Sequence, residues 1–75
     1  MHIDRELDAR GLLCPLPILK TRFELDTMAS GEVLKVVSTD AGSVRDMEAF
    51  ARQTENELLS STVEDGDFVF ILRKA

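Results

Sequence analysis

The 75-residue chain has a single thiol and a single imidazole, those of Cys14 and His2. A tetrahedral Cys/His metal site cannot be assembled from that pair within one chain, and no internal disulfide can form. Basic residues are also few: nine Lys and Arg stand against fourteen Asp and Glu, a formal net charge of -5, and they scatter from Arg5 to Lys74 without clustering. Nucleic-acid affinity comes mostly from phosphate contacts on a basic face, so direct binding to nucleic acid is not expected. The apolar runs are only a few residues long, far short of the roughly 20 needed to span a bilayer. No basic start followed by an apolar stretch marks a secretory signal, so the chain reads as cytoplasmic, with no membrane partner. No repeat, low-complexity tract or Pro/Gly/Ser-rich linker divides it, and residues 1–75 read as a single domain. A domain this small buries only about 60% of the surface its unfolded chain exposes. Its chemistry belongs at the surface, and no cofactor is expected.

What the chain does contain is a clear alternation of elements. Residues 2–9 place Ile3, Leu7 and Ala9 on one parity and His2, Asp4, Glu6 and Asp8 on the other, the period of a strand with one wet face, broken only by Arg5. From Pro15 to Ala29, Ile18, Leu25, Met28 and Ala29 form a helical stripe, closed by Ser30-Gly31. Val33 to Val37 is short, β-branched and apolar on both parities, as a central strand requires. Ser43 is placed to cap a second helix, with Asp46 as the acidic half of a capping box, and Val44, Met47, Phe50, Ala51 and Thr54 share one face. Glu57–Val63 and Phe68–Arg73 read as strands joined by the hairpin signal Asp65-Gly66. The order βαβαββ predicts an α/β two-layer sandwich: a mixed four-stranded sheet with both helices on one face, because right-handed crossovers in one direction place them together.

Cys14-Pro15-Leu16-Pro17 lies where a strand ends and a helix begins. Proline suits the first helical position, so Pro15 makes Cys14 the expected N-cap, with its sulfur accepting the backbone N–H of Leu16 or, second, of Ile18. The partial positive charge of a helix start favours thiolate, and the Cys14 pKa is expected modestly below the ordinary value of about 8.5. Leu16 must enter the helical region although it precedes proline, a local conflict of the kind found at functional or strained sites. The two rings would hold the sulfur rigidly at an exposed helix tip. Alternatively, they only stop the preceding strand from running into the helix.

Leu7-Asp8-Ala9-Arg10-Gly11-Leu12-Leu13 followed by the C-P-x-P tetrapeptide resembles the signature of the TusA/SirA-like sulfur-carrier family. Ser30-Gly31-Glu32, Thr39-Asp40, Phe50, Glu57-Leu58 and the Ile71-Leu72-Arg73-Lys74 ending are similar to the same pattern, so the likeness covers nearly the whole chain. Ala41 departs from it, standing where many members have proline, as do Glu55-Asn56, where many have glycine and histidine. The resemblance implies a carrier that holds a persulfide on Cys14 and relays sulfur from a donor, a cysteine desulfurase or a rhodanese, to an acceptor sulfurtransferase protein. In that family the sulfur goes to tRNA 2-thiouridine synthesis, cofactor assembly or sulfur metabolism. The role is that of a sulfurtransferase-type transfer intermediate rather than a multiple-turnover enzyme. A persulfide is more acidic than a thiol, and its outer sulfur must stay exposed to be attacked by an acceptor thiolate.

Around Cys14, Asp8 is expected to accept backbone N–H groups at the turn and Gly11 to supply unusual dihedrals. Arg10, and less directly Lys20, are candidates to steady an anionic sulfur, against solvated charge as the alternative. At 100° per residue, Leu16, Leu19 and Phe23 lie on a flank of the first helix that begins beside the sulfur, and with Lys20 they form a candidate docking patch. The competing reading is that Leu19 and Phe23 pack against the neighbouring helix. Two other functions stay open: a regulatory protein-interaction module in which Cys14 is structural, and a redox switch that dimerises through Cys14.

Overall fold

Six elements follow one another in the computed structural model, which describes residues 2–75: β1 (Arg5–Ala9), α1 (Leu16–Asp26), β2 (Val33–Ser38), α2 (Ser43–Thr54), β3 (Glu57–Glu64) and β4 (Asp67–Arg73). The sheet order is β1-β2-β4-β3, with β1 and β2 parallel and the two pairings of β4 antiparallel. Alternate residues of the inner strands, Leu34 and Val36 on β2 with Phe70 and Leu72 on β4, turn to one face and form a single buried cluster with Leu25 of α1 and Met47, Phe50 and Ala51 of α2. Both helices therefore cover the same side, giving the expected two-layer α/β sandwich.

The α2 face follows its apolar spacing: Met47, Phe50 and Ala51 are buried, and Val44 and Thr54 are half-buried beside them. The Asp65-Gly66 turn also follows its sequence signal, with φ of 52° and 84°, the left-handed pair that a two-residue hairpin demands.

α1 differs from the reading of its sequence. It ends at Asp26 rather than Ala29, because the Thr27 hydroxyl and backbone N–H both fold back onto Glu24 and stop the next turn. Met28 is still buried beyond the helix end, while Ala29 is exposed and donates its N–H to Glu32 Oε1 at 2.7 Å. The inward face of α1 is Pro17, Thr21 and Leu25, four residues apart, with Ile18 half-buried at its side. Pro17 is thus a core residue as well as a stiffener, and Thr21 can be buried because its hydroxyl donates to the Pro17 carbonyl at 2.8 Å. β1 starts at Arg5 rather than His2. At Asp4 the backbone N–H still donates to the Val33 carbonyl, but it is the Asp4 carboxylate that accepts the Val33 N–H at 2.8 Å, so the side chain takes over the ladder. At the same end of the sheet, Lys74 exchanges backbone bonds with Gly31 and Glu32.

Candidate functional site

β1 delivers the chain to the end of the sheet where β2 also finishes, and a short turn then swings it across to α1. Gly11 makes that turn with φ of 79° and donates its N–H to Thr39 Oγ1 at 2.9 Å. Asp8 accepts the Arg10 N–H at 3.0 Å, as the turn reading expects. Asp40, in the loop before α2, accepts the Cys14 N–H at 2.8 Å through one carboxylate oxygen and the Gly42 N–H at 3.2 Å through the other. One side chain therefore ties the backbone at Cys14 to the entrance of α2.

The expected capping of α1 by Cys14 is not what the structure holds. Pro15 is the N-cap, with Leu16 and Pro17 as the first helical residues. The Leu16 N–H goes to the Leu13 carbonyl at 2.9 Å and the Ile18 N–H to the Pro15 carbonyl at 3.2 Å, so neither donor is free for the sulfur. The Cys14 thiol instead donates to Asp46 Oδ2 in the first turn of α2, with Sγ 2.8 Å from the oxygen. Asp46 is consequently no capping-box partner of Ser43, whose hydroxyl donates to the Asp40 carbonyl.

The thiol pKa is corrected with the geometry. The hydrogen bond to Asp46, then partial desolvation, then the negative charges of Asp46 and Asp40 push the Cys14 thiol above its ordinary value, opposite to the expected depression. A hydrogen bond donated by the neutral form favours that form, while Pro15 and Pro17 take two N–H donors away from the helix start.

Arg10 is placed away from the role of anion partner. Its Nε bonds Asp67 Oδ2 at 2.9 Å, and a guanidinium nitrogen lies 3.5 Å from Asp8, so it braces the turn against β4. Lys20 is exposed on α1. The basic residues that line the hollows beside Cys14 are Arg22 of α1 and Arg45 of α2, neither of which the sequence reading singled out. Both hollows are open; the one between the helices has Ile18 and Phe50 in its walls and Leu19 at its side.

Cys14 itself is exposed and free. Leu13, Leu16, Leu19 and Phe23 are exposed apolar side chains of the same stretch of chain; Leu19 lines a hollow that Cys14 also lines, and Phe23, at 62% exposure, lies outside the core cluster. Leu13, 71% exposed, is a further exposed apolar residue that the helical projection did not include, because it precedes the helix.

Comparison with known proteins adds the lineage. The family described as Sulfurtransferase TusA matches residues 5–74. The sulfur carrier protein TusA of Allochromatium vinosum is 56% identical over 72 residues, covering 96% of this chain and 95% of that protein. A putative sulfur carrier protein of Aquifex aeolicus is 46% identical over 72 residues, 96% of this chain but 36% of the longer protein. The crystal structure of a SirA-like protein from Desulfitobacterium hafniense superposes with a TM-score of 0.82 at 20% identity, over 92% of this chain and 95% of that one, and so shares the fold. On the extent of the family match and the identity to these relatives, the chain belongs to the sulfurtransferase TusA family.

Proposed function

We propose that the protein is a sulfur carrier that holds a persulfide on Cys14 and relays its outer sulfur from a donor protein to an acceptor protein. The observation that carries this reading is the setting of the chain's one thiol: exposed, fixed by its own backbone to Asp40, and followed along α1 by exposed Leu16, Leu19 and Phe23 in a member of the TusA family. Sulfur exchange requires a thiolate to attack along the S–S axis, so both sulfurs must be reachable by another protein. Lacking a second cysteine, the chain has no internal thiol to discharge the persulfide as a disulfide.

In loading, the Cys14 thiolate attacks the outer sulfur of a donor persulfide. One S–S bond forms, the donor's breaks, and the donor leaves as a thiolate. Delivery is the same exchange with an acceptor thiolate as nucleophile and Cys14 as leaving group, so no oxidant is consumed. Pro15 and Pro17 stiffen the start of α1, Leu16 presents apolar surface beside the sulfur, and Gly11, Asp8 and Arg10 hold the turn that leads to it. Leu16, Leu19, Lys20 and Phe23 form the docking patch. The donor is a cysteine desulfurase or a rhodanese in the cytoplasm. The acceptor is a sulfurtransferase protein serving tRNA 2-thiouridine synthesis or sulfur metabolism.

Intact mass spectrometry after incubation with a cysteine desulfurase and cysteine tests the proposal. One added sulfur, removable by dithiothreitol and absent in Cys14→Ser, is expected. No adduct with several competent donors would transfer weight to a protein-interaction module, and a doubled mass under mild oxidant to a thiol switch.

A further inference from the structure

Relay chemistry by itself makes no use of the carboxylate on α2 that receives the Cys14 thiol. Charged groups face this sulfur from three directions. Asp40, in the loop before α2, has its carboxylate oxygens occupied by the N–H groups of Cys14 and Gly42. Arg22 on α1 lines one adjoining hollow, and Arg45 and Glu48 on α2 line the other. Among the described residues, Asp46 alone is hydrogen-bonded to the sulfur itself, with Sγ to Oδ2 at 2.8 Å.

The geometry points to Asp46 as a positioning residue that distinguishes the empty carrier from the loaded one: it holds the empty thiol against α2 and releases the sulfur once a persulfide has formed. This rests on the carrier reading above. The contact exists because Sγ bears a hydrogen to donate. When the thiol proton is lost to solvent and the thiolate takes a sulfur from a donor persulfide, Sγ becomes bonded to that sulfur and keeps only lone pairs. The persulfide is also the stronger acid, so near neutral pH its outer sulfur carries negative charge. An acceptor carboxylate then faces an acceptor sulfur beside an anion, and attraction turns to repulsion. The loaded sulfur moves off α2 toward solvent, where an acceptor thiolate can reach it. After delivery the departing Cys14 thiolate regains a proton from solvent, and the bond to Asp46 forms again.

Two consequences follow for the empty state. Its thiol stays neutral, which slows capture by stray electrophiles, since the thiolate is the reactive form. Its sulfur also sits in a different place from that of the loaded state, giving donor and acceptor proteins a local feature to tell them apart.

The rate of iodoacetamide capture, followed by intact mass on the purified chain between pH 7 and 10, reads the first part directly. Asp46→Asn removes the charge while conserving shape, and Asp46→Ser shortens the side chain beyond reach of the sulfur should the first variant fold poorly. Glu48→Gln removes the same charge from the same helix without touching Sγ. Both Asp46 variants are expected to raise capture of the empty protein about three- to tenfold near pH 7 and to move the alkaline midpoint down, a gain smaller than the rise in thiolate because a less basic thiolate is less nucleophilic. Glu48→Gln is expected to change it less than about twofold, as an exposed charge without direct contact is screened.

The second part uses sodium polysulfide as the load: the Cys14 thiolate takes one sulfur atom to become a persulfide anion, leaving a polysulfide dianion shorter by one. Capture of the loaded wild type and of loaded Asp46→Asn is expected to agree within about twofold, because the contact is already broken. Equal rates for empty wild type and both Asp46 variants, or an equal acceleration by Glu48→Gln, would overturn the hold on the empty thiol. A loaded-state difference as large as the empty-state one would overturn the release. Failure of every form to take up sulfur would instead overturn the carrier reading, and load recognition with it, while the empty-protein rates still decide whether Asp46 holds the proton.

Discussion

Asp40 joins two elements that are far apart in sequence by accepting the Cys14 N–H at 2.8 Å on one oxygen and the Gly42 N–H at 3.2 Å on the other. Replacing it with alanine leaves both donors without this partner at a half-buried position. Asp40→Ala is expected to cost about 1–3 kcal/mol, read as a lowered urea midpoint, and to quicken hydrogen exchange at the Cys14 amide. Unchanged exchange at Cys14 would mean that the loop is held by something other than this carboxylate.

The raised Cys14 pKa has a definite sign in stability. The folded state binds the thiol proton more tightly than the unfolded chain, so the associated stabilisation is fully present below the ordinary thiol pKa and is lost as pH rises through the elevated folded value. Wild type is therefore expected to lose stability relative to Cys14→Ser across the alkaline range above the ordinary thiol pKa, by a small amount because the group is exposed. Denaturant titrations of the two proteins at neutral and alkaline pH check this, and a gap that widens in favour of wild type with rising pH would contradict it.

Phe23 is 62% exposed and lies outside the core cluster. Phe23→Ser should leave the melting temperature close to wild type, within about 0.5 kcal/mol in stability. The rate of sulfur uptake from a donor protein should fall, while uptake from polysulfide, which needs no docking, should not. Loss of both rates together would point to a disturbed Cys14 instead of a lost contact surface.

Glu55 closes α2 in the left-handed conformation, with φ of 62°, a position where a side chain is a burden and glycine is not. Glu55→Gly is expected to stabilise the protein by about 0.5–1 kcal/mol, after the entropy that glycine adds to the unfolded chain is taken into account. Thermal melting measures it. A destabilised variant would show that the glutamate side chain makes compensating contacts.

How far each feature could be read in advance depended on the range of the interaction behind it. The Asp65-Gly66 hairpin and the Met47–Phe50–Ala51 face obey signals contained within one turn or one helix, and both appear where those signals put them. The inward face of α1 escaped because two of its members, Pro17 and Thr21, do not register as apolar, and Thr21 is admitted to the core only by a bond to a carbonyl four residues back. At the site, local chemistry marked Cys14 and its flanking rings, and the turn residues Asp8 and Gly11. The sulfur's partner lies 32 residues away on α2. Helix-capping rules, which look two or three residues ahead, had no means of finding it, and they gave the wrong direction for the thiol pKa because they did not include the contact with Asp46, which raises it.

The backbone bonds of Asp4 to Val33 and of Lys74 to Gly31 and Glu32 have a practical corollary. They gather residues from both ends of the chain at the rim where β2 begins, while Cys14 lies beyond the opposite rim, where β1 and β2 finish. The five or six residues of these strands separate the two rims by about 15–20 Å. A fluorophore or other probe attached at Asp4 or Lys74 consequently starts on the far side from the thiol and leaves Cys14 facing the bulk.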